Sequence, residues 1–226
     1  MLKAIFWDMD GTLVDSEPLW GVATYELSEE VGRRLTPELR EKTVGGNFDN
    51  TLRICASHAG VELAELDYDG LRERMYTRVS ELFAHQLEPV PGMVELLSEC
   101  ARRNVAMAIT TNTPRQLAHH AVTAVGEHFF DTAFFGDQVP QPKPAPDMYQ
   151  LAAQHFGLDP HECLVFEDSI TGMQAATAAG CRVIGVVADP HTPTPDRVRT
   201  LGELHGSIDF STITADMVEQ WFEQLP

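Results

Sequence analysis

An α/β fold, with a Rossmann-like parallel sheet core and an inserted α-helical domain, is predicted by three features of this 226-residue sequence. Apolar runs at 4–7, 105–109, 133–135, 164–166 and 183–187 have the length and composition of buried strands. Helical stretches with recognisable stops separate the later runs, and such strand–helix alternation builds a parallel sheet with helices on both faces. Between the first and second runs lies a long charged segment with no strand-like stretch.

The first run, Ala4-Ile5-Phe6-Trp7, meets Asp8. Residues 18–85 then repeat with helical period, with apolar positions at Leu52, Ile54, Leu71, Met75, Val79 and Leu82. Connectors at 16–18 and 88–92, rich in proline and glycine, suit hinges. The expected division is 1–16 with 89–226 for the α/β core and 17–88 for the helical insertion. Further along, Thr113 reads as a helix N-cap and Pro114 as the first residue of a helix over 115–125, stopped by Gly126. Pro146 opens a second helix to about His155, ended by Gly157. Ser169 caps a third over 172–179, closed by Gly180. Residues 189–195, rich in Pro and Thr, read as a surface loop before a last helix over 215–224, whose apolar face takes Trp221 and Phe222.

Composition narrows the function. The chain is 43% hydrophobic and 22% charged, ordinary for a globular protein. No segment approaches the ~20 apolar residues of a membrane span, and the apolar stretch before Asp8 is too short for a signal-peptide core. A cytoplasmic location is expected. The formal net charge of −18 repels nucleic acid and anionic membrane, so neither is expected as a partner. It would equally repel an anionic substrate, so a phosphate site must be locally positive. Only three of the 16 basic residues are lysines, Lys3, Lys42 and Lys143. Cys55, Cys100, Cys163 and Cys181 lack metal or redox spacing and read as free thiols.

In an open parallel sheet, ligands gather outside the carboxyl ends of the strands. The segments beyond these strands are polar: Asp8-Met9-Asp10-Gly11-Thr12, then Thr110-Thr111-Asn112-Thr113, Pro142-Lys143-Pro144, and Glu167-Asp168-Ser169. A lone aspartate at a strand end usually serves turn amides, and a lone lysine is usually solvated. Four carboxylates in one crevice are another matter, because they repel unless a hard cation neutralises them. An all-oxygen site without nearby His or Cys suits Mg²⁺.

D-M-D-G-T-L-V-D at 8–15, T-T-N at 110–112, K-P at 143–144 and E-D-S-x-x-G at 167–172 resemble, in order and spacing, the four motifs of the haloacid dehalogenase superfamily. S-E-P-L-W at 16–20 is similar to the 2-deoxyglucose-6-phosphate phosphatase and β-phosphoglucomutase group, whose members carry a small helical cap after the first motif. The resemblance implies a Mg²⁺-dependent phosphatase acting on a small phosphorylated metabolite, and a monomer is expected. Asp8, ionised at neutral pH from its reference pKa of ~3.9, would be the nucleophile. Asp10 would protonate the leaving alkoxide and then deprotonate water. The resemblance also implies that the Asp10 backbone carbonyl joins Asp8, Asp168 and Glu167 around the metal. Lys143, Thr111 and the amides of Met9, Asp10 and Asn112 would hold the phosphoryl oxygens.

A mutase of this group uses a cap arginine in a G-V-S-R-type stretch and an early cap histidine. Here Gly45-Gly46-Asn47-Phe48 and Trp20 stand in those places. A dehalogenase lacks the second acid, Asp10, and a phosphonatase needs a cap lysine, for which Lys42 has no support. Hydrolysis of a phosphate ester is therefore expected; the substrate expected is a sugar or polyol phosphate, with phosphoglycolate as a competitor. Trp20, Asn47 and Phe48 are candidate substrate contacts in the cap; Trp20 and Phe48 serve equally as packing residues. The alternatives are a β-phosphoglucomutase-like phosphomutase and a non-catalytic metabolite-binding protein.

Overall fold

A computed structural model describes all residues, Met1–Pro226. In chain order the strands are β1 (Ala4–Trp7), β2 (Ala106–Thr111), β3 (Thr132–Phe135), β4 (Cys163–Glu167), β5 (Arg182–Gly185) and β6 (Arg199–Thr200). The helices are α1 (Glu17–Val31), α2 (Pro37–Glu41), α3 (Phe48–Ala59), α4 (Tyr68–Gln86), α5 (Met93–Arg102), α6 (Arg115–Val125), α7 (Asp147–Phe156), α8 (Ile170–Ala179), α9 (Leu201–His205) and α10 (Ala215–Gln224). They form two compact units, Met1–Asp15 with Glu88–Pro226, and Ser16–Leu87.

The larger unit is built on one sheet ordered β3-β2-β1-β4-β5-β6, with every pairing parallel. All four residues of β1 are buried, as a central strand covered on both faces requires. Ala4 and Phe6 join Tyr149, Ala152, Val165 and Met173 in one cluster. Trp7 stacks on Phe166 at 4.5 Å between ring centroids, and Phe166 in turn meets Phe210. Burying each of the larger apolar side chains, Phe6, Val165, Phe166 and Met173 among them, contributes about 1.5–3 kcal/mol. The order matters for function because the chain runs from β1 to β2 and β3 on one side and later returns to β4 on the other. The resulting crevice lies at the carboxyl ends of β1, β2 and β4, where such sheets bind ligands.

The smaller unit is helical throughout. Leu19, Ala23, Leu27 and Val31 recur at intervals of four on α1 and are buried, as are Leu71, Met75, Val79 and Leu82 on α4. Arg74 pairs with Glu30, and Arg78 with Glu26, on the solvent side of the α1–α4 packing.

Three features depart from the sequence-based expectation. Helix α6 starts at Arg115 with Pro114 as its N-cap residue, and its first amide donates to the Asp137 carboxylate at 3.2 Å, so Thr113 is not the cap. A sixth strand forms at Arg199–Thr200 without an apolar run, because β5 offers a parallel edge at Ile184 and Gly185. Helices α5 and α9 have no counterpart among the expected elements. Residues 189–195 contain neither helix nor strand, and α10 covers Ala215–Gln224. No helix is long and apolar enough to cross a membrane.

Candidate active site

The site is assembled from the ends of three strands and one loop. Asp8 comes directly after β1, and its amide donates to the Phe166 carbonyl at 3.0 Å, which ties the strand end to β4. The chain then turns through Gly11 at φ +80°, a conformation open to glycine without strain. A Cβ at Gly11 would overlap the Asp168 carboxylate, so this residue must also be small.

Lys143 is the centre of the site's electrostatics. Its side chain is 3% exposed and its Nζ donates to Asp8 Oδ1 at 2.6 Å, to the Thr110 carbonyl at 3.0 Å, and to Glu167 Oε1. All three ammonium protons therefore have acceptors. Burial pulls the lysine's pKa down, but the charges of Asp8 and Glu167 push it up and prevail, so the group stays cationic. The Asp8 carboxyl is raised well above the ordinary carboxylate range, first by burial and then by the charge of Glu167, with Lys143 opposing both. Two buried carboxylates thus share one ammonium.

Glu167 is wholly buried and held at both oxygens. Oε1 also accepts from the Tyr149 hydroxyl at 3.1 Å, while Oε2 accepts from the Ser169 amide at 3.0 Å and its hydroxyl at 2.9 Å. Ser169 additionally caps α8, accepting from the Gly172 amide. A Cβ at Gly172 would overlap the Glu167 carboxylate, so the first turn of α8 can approach only as glycine. Burial, then the charge of Glu167, push the Tyr149 phenol well above the ordinary tyrosine value, which keeps it a donor.

Carboxylate oxygens of Asp8, Glu167 and Asp168 lie within 4.8 Å of one another. The donor set is entirely oxygen, and burial beside Glu167 leaves Asp8 short of positive charge despite Lys143. Both properties fit a hard divalent cation.

Asn112 grips the Lys143 backbone: its Oδ1 accepts from the Lys143 amide at 2.9 Å and its Nδ2 donates to the Lys143 carbonyl at 3.2 Å. The Lys143–Pro144 peptide is cis. Thr111 Oγ1 lies 3.4 Å from Asp10 Oδ2 and accepts from the Thr113 amide at 3.0 Å. Thr113 Oγ1 donates to the same Asp10 oxygen at 2.6 Å. The Met9 side chain is fully buried, and its carbonyl accepts from the amides of Leu13 and Val14.

Within the helical unit the three other candidates have local roles. Asn47 caps α3, accepting from the Asn50 amide at 3.0 Å. Phe48 is buried, edge-on to Tyr68 and Tyr76 at 5.2 and 6.0 Å, so most of its ring is engaged in packing. Trp20 is half-buried and meets Phe83 edge-on at 5.8 Å.

Sequence reasoning missed Tyr149 and the second role of Ser169, and misassigned Thr113. Tyr149 carried no signal, because a tyrosine on a helix's apolar face reads as core. Thr113 carried a misleading one, because a threonine just before a proline resembles a cap.

A family profile described as haloacid dehalogenase-like hydrolase matches residues 5–186. The chain is 31% identical over 188 residues to a phosphorylated carbohydrates phosphatase from Thermotoga maritima, covering 82% of this chain and 86% of that protein. It is 33% identical to hexitol phosphatase A from Escherichia coli, covering 94% of each. Among solved structures, CbbY from Rhodobacter sphaeroides in complex with phosphate superposes with a TM-score of 0.82 at 25% identity, covering 97% of this chain and 100% of that one.

Proposed function

The chain belongs to the haloacid dehalogenase-like hydrolase family, and from that membership we propose a Mg²⁺-dependent phosphatase that hydrolyses a small phosphate monoester through an aspartyl-phosphate on Asp8. The observation that carries the reading is the Asp8–Lys143 pair at the crevice, 2.6 Å apart and buried, with a second acid two residues on. Burial raises the Asp8 carboxyl above the reference value expected from the sequence, so a bound cation would join Lys143 in holding it ionised, and as a carboxylate it needs no base to attack.

Asp8 and Asp168 would hold the ion, with the Asp10 backbone carbonyl, while Glu167, whose oxygens are taken by Lys143, Tyr149 and Ser169, would stand behind them. When bound, Mg²⁺ would supply positive charge opposite the phosphoryl oxygens. The remaining chemistry belongs to the side chains. As an Asp8 oxygen bonds to phosphorus, its negative charge passes to the phosphoryl group. The Lys143 ammonium can then turn a proton from Asp8 to a phosphoryl oxygen without leaving Glu167. Asp10 gives a proton to the departing alkoxide and later takes one from the water that attacks the acyl phosphate. Asn112, by holding the Lys143 backbone, keeps the ammonium where this exchange can occur.

The relatives named for phosphorylated carbohydrates and hexitols support a sugar or polyol phosphate as substrate, and phosphoglycolate is the competitor to test beside it. The test is kcat/KM across hexose, pentose, hexitol and two- to three-carbon phosphates with Mg²⁺, wild type against Asp8→Asn. Sugar and polyol phosphates should lead the panel, and the variant should lose at least about 10³-fold, as expected for removal of a nucleophile. Full activity in Asp8→Asn would overturn the mechanism. Interconversion of hexose 1- and 6-phosphates, with little release of phosphate, would favour the mutase instead.

A further inference from the structure

Resting on the phosphatase reading, we infer that Thr113 is a positioning residue for Asp10, the acid of the first chemical step and the base of the second. The first amide of helix α6 is taken by the Asp137 carboxylate, and the Thr113 hydroxyl, in a residue 8% exposed, instead reaches across 103 residues of chain to Asp10 Oδ2 at 2.6 Å. The Thr113 amide simultaneously donates to Thr111 Oγ1 at 3.0 Å, and that hydroxyl lies 3.4 Å from the same Oδ2. Thr110, one residue before Thr111, is buried and donates to the Trp7 carbonyl, which locks the end of β2 to β1. One carboxylate oxygen of Asp10 is thus approached by two hydroxyls, one at the end of β2 and one just beyond it, tied to the first by its amide. A carboxylate held at one oxygen cannot spin freely, so the other is presented in a defined direction.

The consequence for the reaction is specific. In the first step the Asp8 oxygen–phosphorus bond forms and the phosphorus–alkoxide oxygen bond breaks, while the proton on the Asp10 carboxyl moves to the departing oxygen. In the second, a water oxygen bonds to phosphorus, the Asp8 oxygen–phosphorus bond breaks, and Asp10 takes the water's proton. A misdirected Asp10 costs most where the leaving group most needs that proton. An alkoxide is such a group, whereas nitrophenolate departs without one.

The experiment compares wild type, Thr113→Val and Thr113→Ser on an alkyl phosphate and on p-nitrophenyl phosphate, reading kcat/KM because it reports the first step. Thr113→Val should lose about 10- to 100-fold on the alkyl ester, a share of the roughly 10²–10⁴ that a positioned proton donor contributes. Its loss on the aryl ester should stay within about threefold, since protonation contributes little there. Thr113→Ser, which keeps the hydroxyl, should recover most of the alkyl activity. A crystal structure of Thr113→Val should show the Asp10 carboxylate rotated with α6 starting at the same residue. Equal losses on both esters, or a serine variant as poor as valine, would overturn the inference. If wild type hydrolyses neither ester, the phosphatase reading itself fails, an outcome separate from these.

Discussion

The side-chain amide of Asn112 holds the backbone of Lys143 from both sides, accepting from its N–H at 2.9 Å and donating to its C=O at 3.2 Å. An amide is the side chain that can do both at once, because it carries an acceptor and a donor on adjacent atoms. The end of β2 thereby sets where the lysine loop lies. The ammonium at its tip reaches Asp8 and Glu167 from a backbone anchored on a third strand.

Replacing Asn112 should consequently be felt in chemistry. Asn112→Ala removes two partly buried hydrogen bonds, worth together about 1–3 kcal/mol of stability. It should lower kcat by about 10-fold or more through a misplaced Lys143, as small displacements of catalytic groups do. Asn112→Asp keeps the acceptor but sets a carboxylate oxygen against the Lys143 carbonyl oxygen, so its stability loss should be at least that of alanine. Urea denaturation and steady-state kinetics on the three proteins check the order.

Removing the ammonium exposes the electrostatic balance at the site. Lys143→Met would leave Asp8 and Glu167 buried without their shared cation, a loss of about 3–5 kcal/mol. The loss should shrink as pH falls towards the carboxyls' protonation range, since neutral acids need no partner. Lys143→Met with Glu167→Gln should recover part of it by removing one charge. Denaturation midpoints for the single and double variants at two pH values provide the comparison.

Metal occupancy should register in stability as well as in turnover. Ion binding to the folded chain alone adds about 2.7 kcal/mol at a concentration 100 times the dissociation constant. Mg²⁺ should therefore raise the melting temperature of wild type, and a chelator should reverse both the shift and the activity. Asp168→Asn, which weakens one of the three clustered carboxylates, should need more Mg²⁺ for either effect. An unchanged Mg²⁺ titration in that variant would remove Asp168 from the ligand set.

The four cysteines should be silent in the folded protein. All are buried, and burial raises their thiol pKa values, to about 11 for Cys55 and about 12 for Cys100 and Cys163, with Cys181 raised further. At pH 8 native protein should react with iodoacetamide far more slowly than urea-unfolded protein, whose thiols titrate near ~8.5. A thiol raised in the folded state contributes stability that is full below the unfolded pKa and is lost as pH rises through the folded one. Stability should therefore decline above about pH 8.5, where unfolded thiols begin to ionise. Mass spectrometry of the alkylated chain and denaturation against pH test both statements.

Much of the fold is legible in local pattern. Each apolar run coincides with most of an observed strand, because a strand covered on both faces must be apolar at consecutive positions. The glycines at 157 and 180 do end α7 and α8, both in the left-handed region where a Cβ is penalised. Strand β6 escaped because nothing in Arg199-Thr200 is strand-like in isolation. Its pairing depends on the exposed edge of β5, a condition that exists only after the sheet has formed.

The sequence by itself determined the chemical inventory: which acids, which lysine and which hydroxyls stand at the ends of buried strands, and hence that a cation and an anion would meet there. The tertiary structure decided how that inventory is paired. It turned Thr113 from a helix cap into a partner of Asp10, gave the Asn112 side chain to the Lys143 backbone, and brought Tyr149 onto Glu167. Periodicity can report which face of an element is buried. A hydrogen bond requires two atoms to fall within about 3 Å in the right direction, and for these pairs, 18 to 103 positions apart, that is settled only when strand register and helix packing are complete.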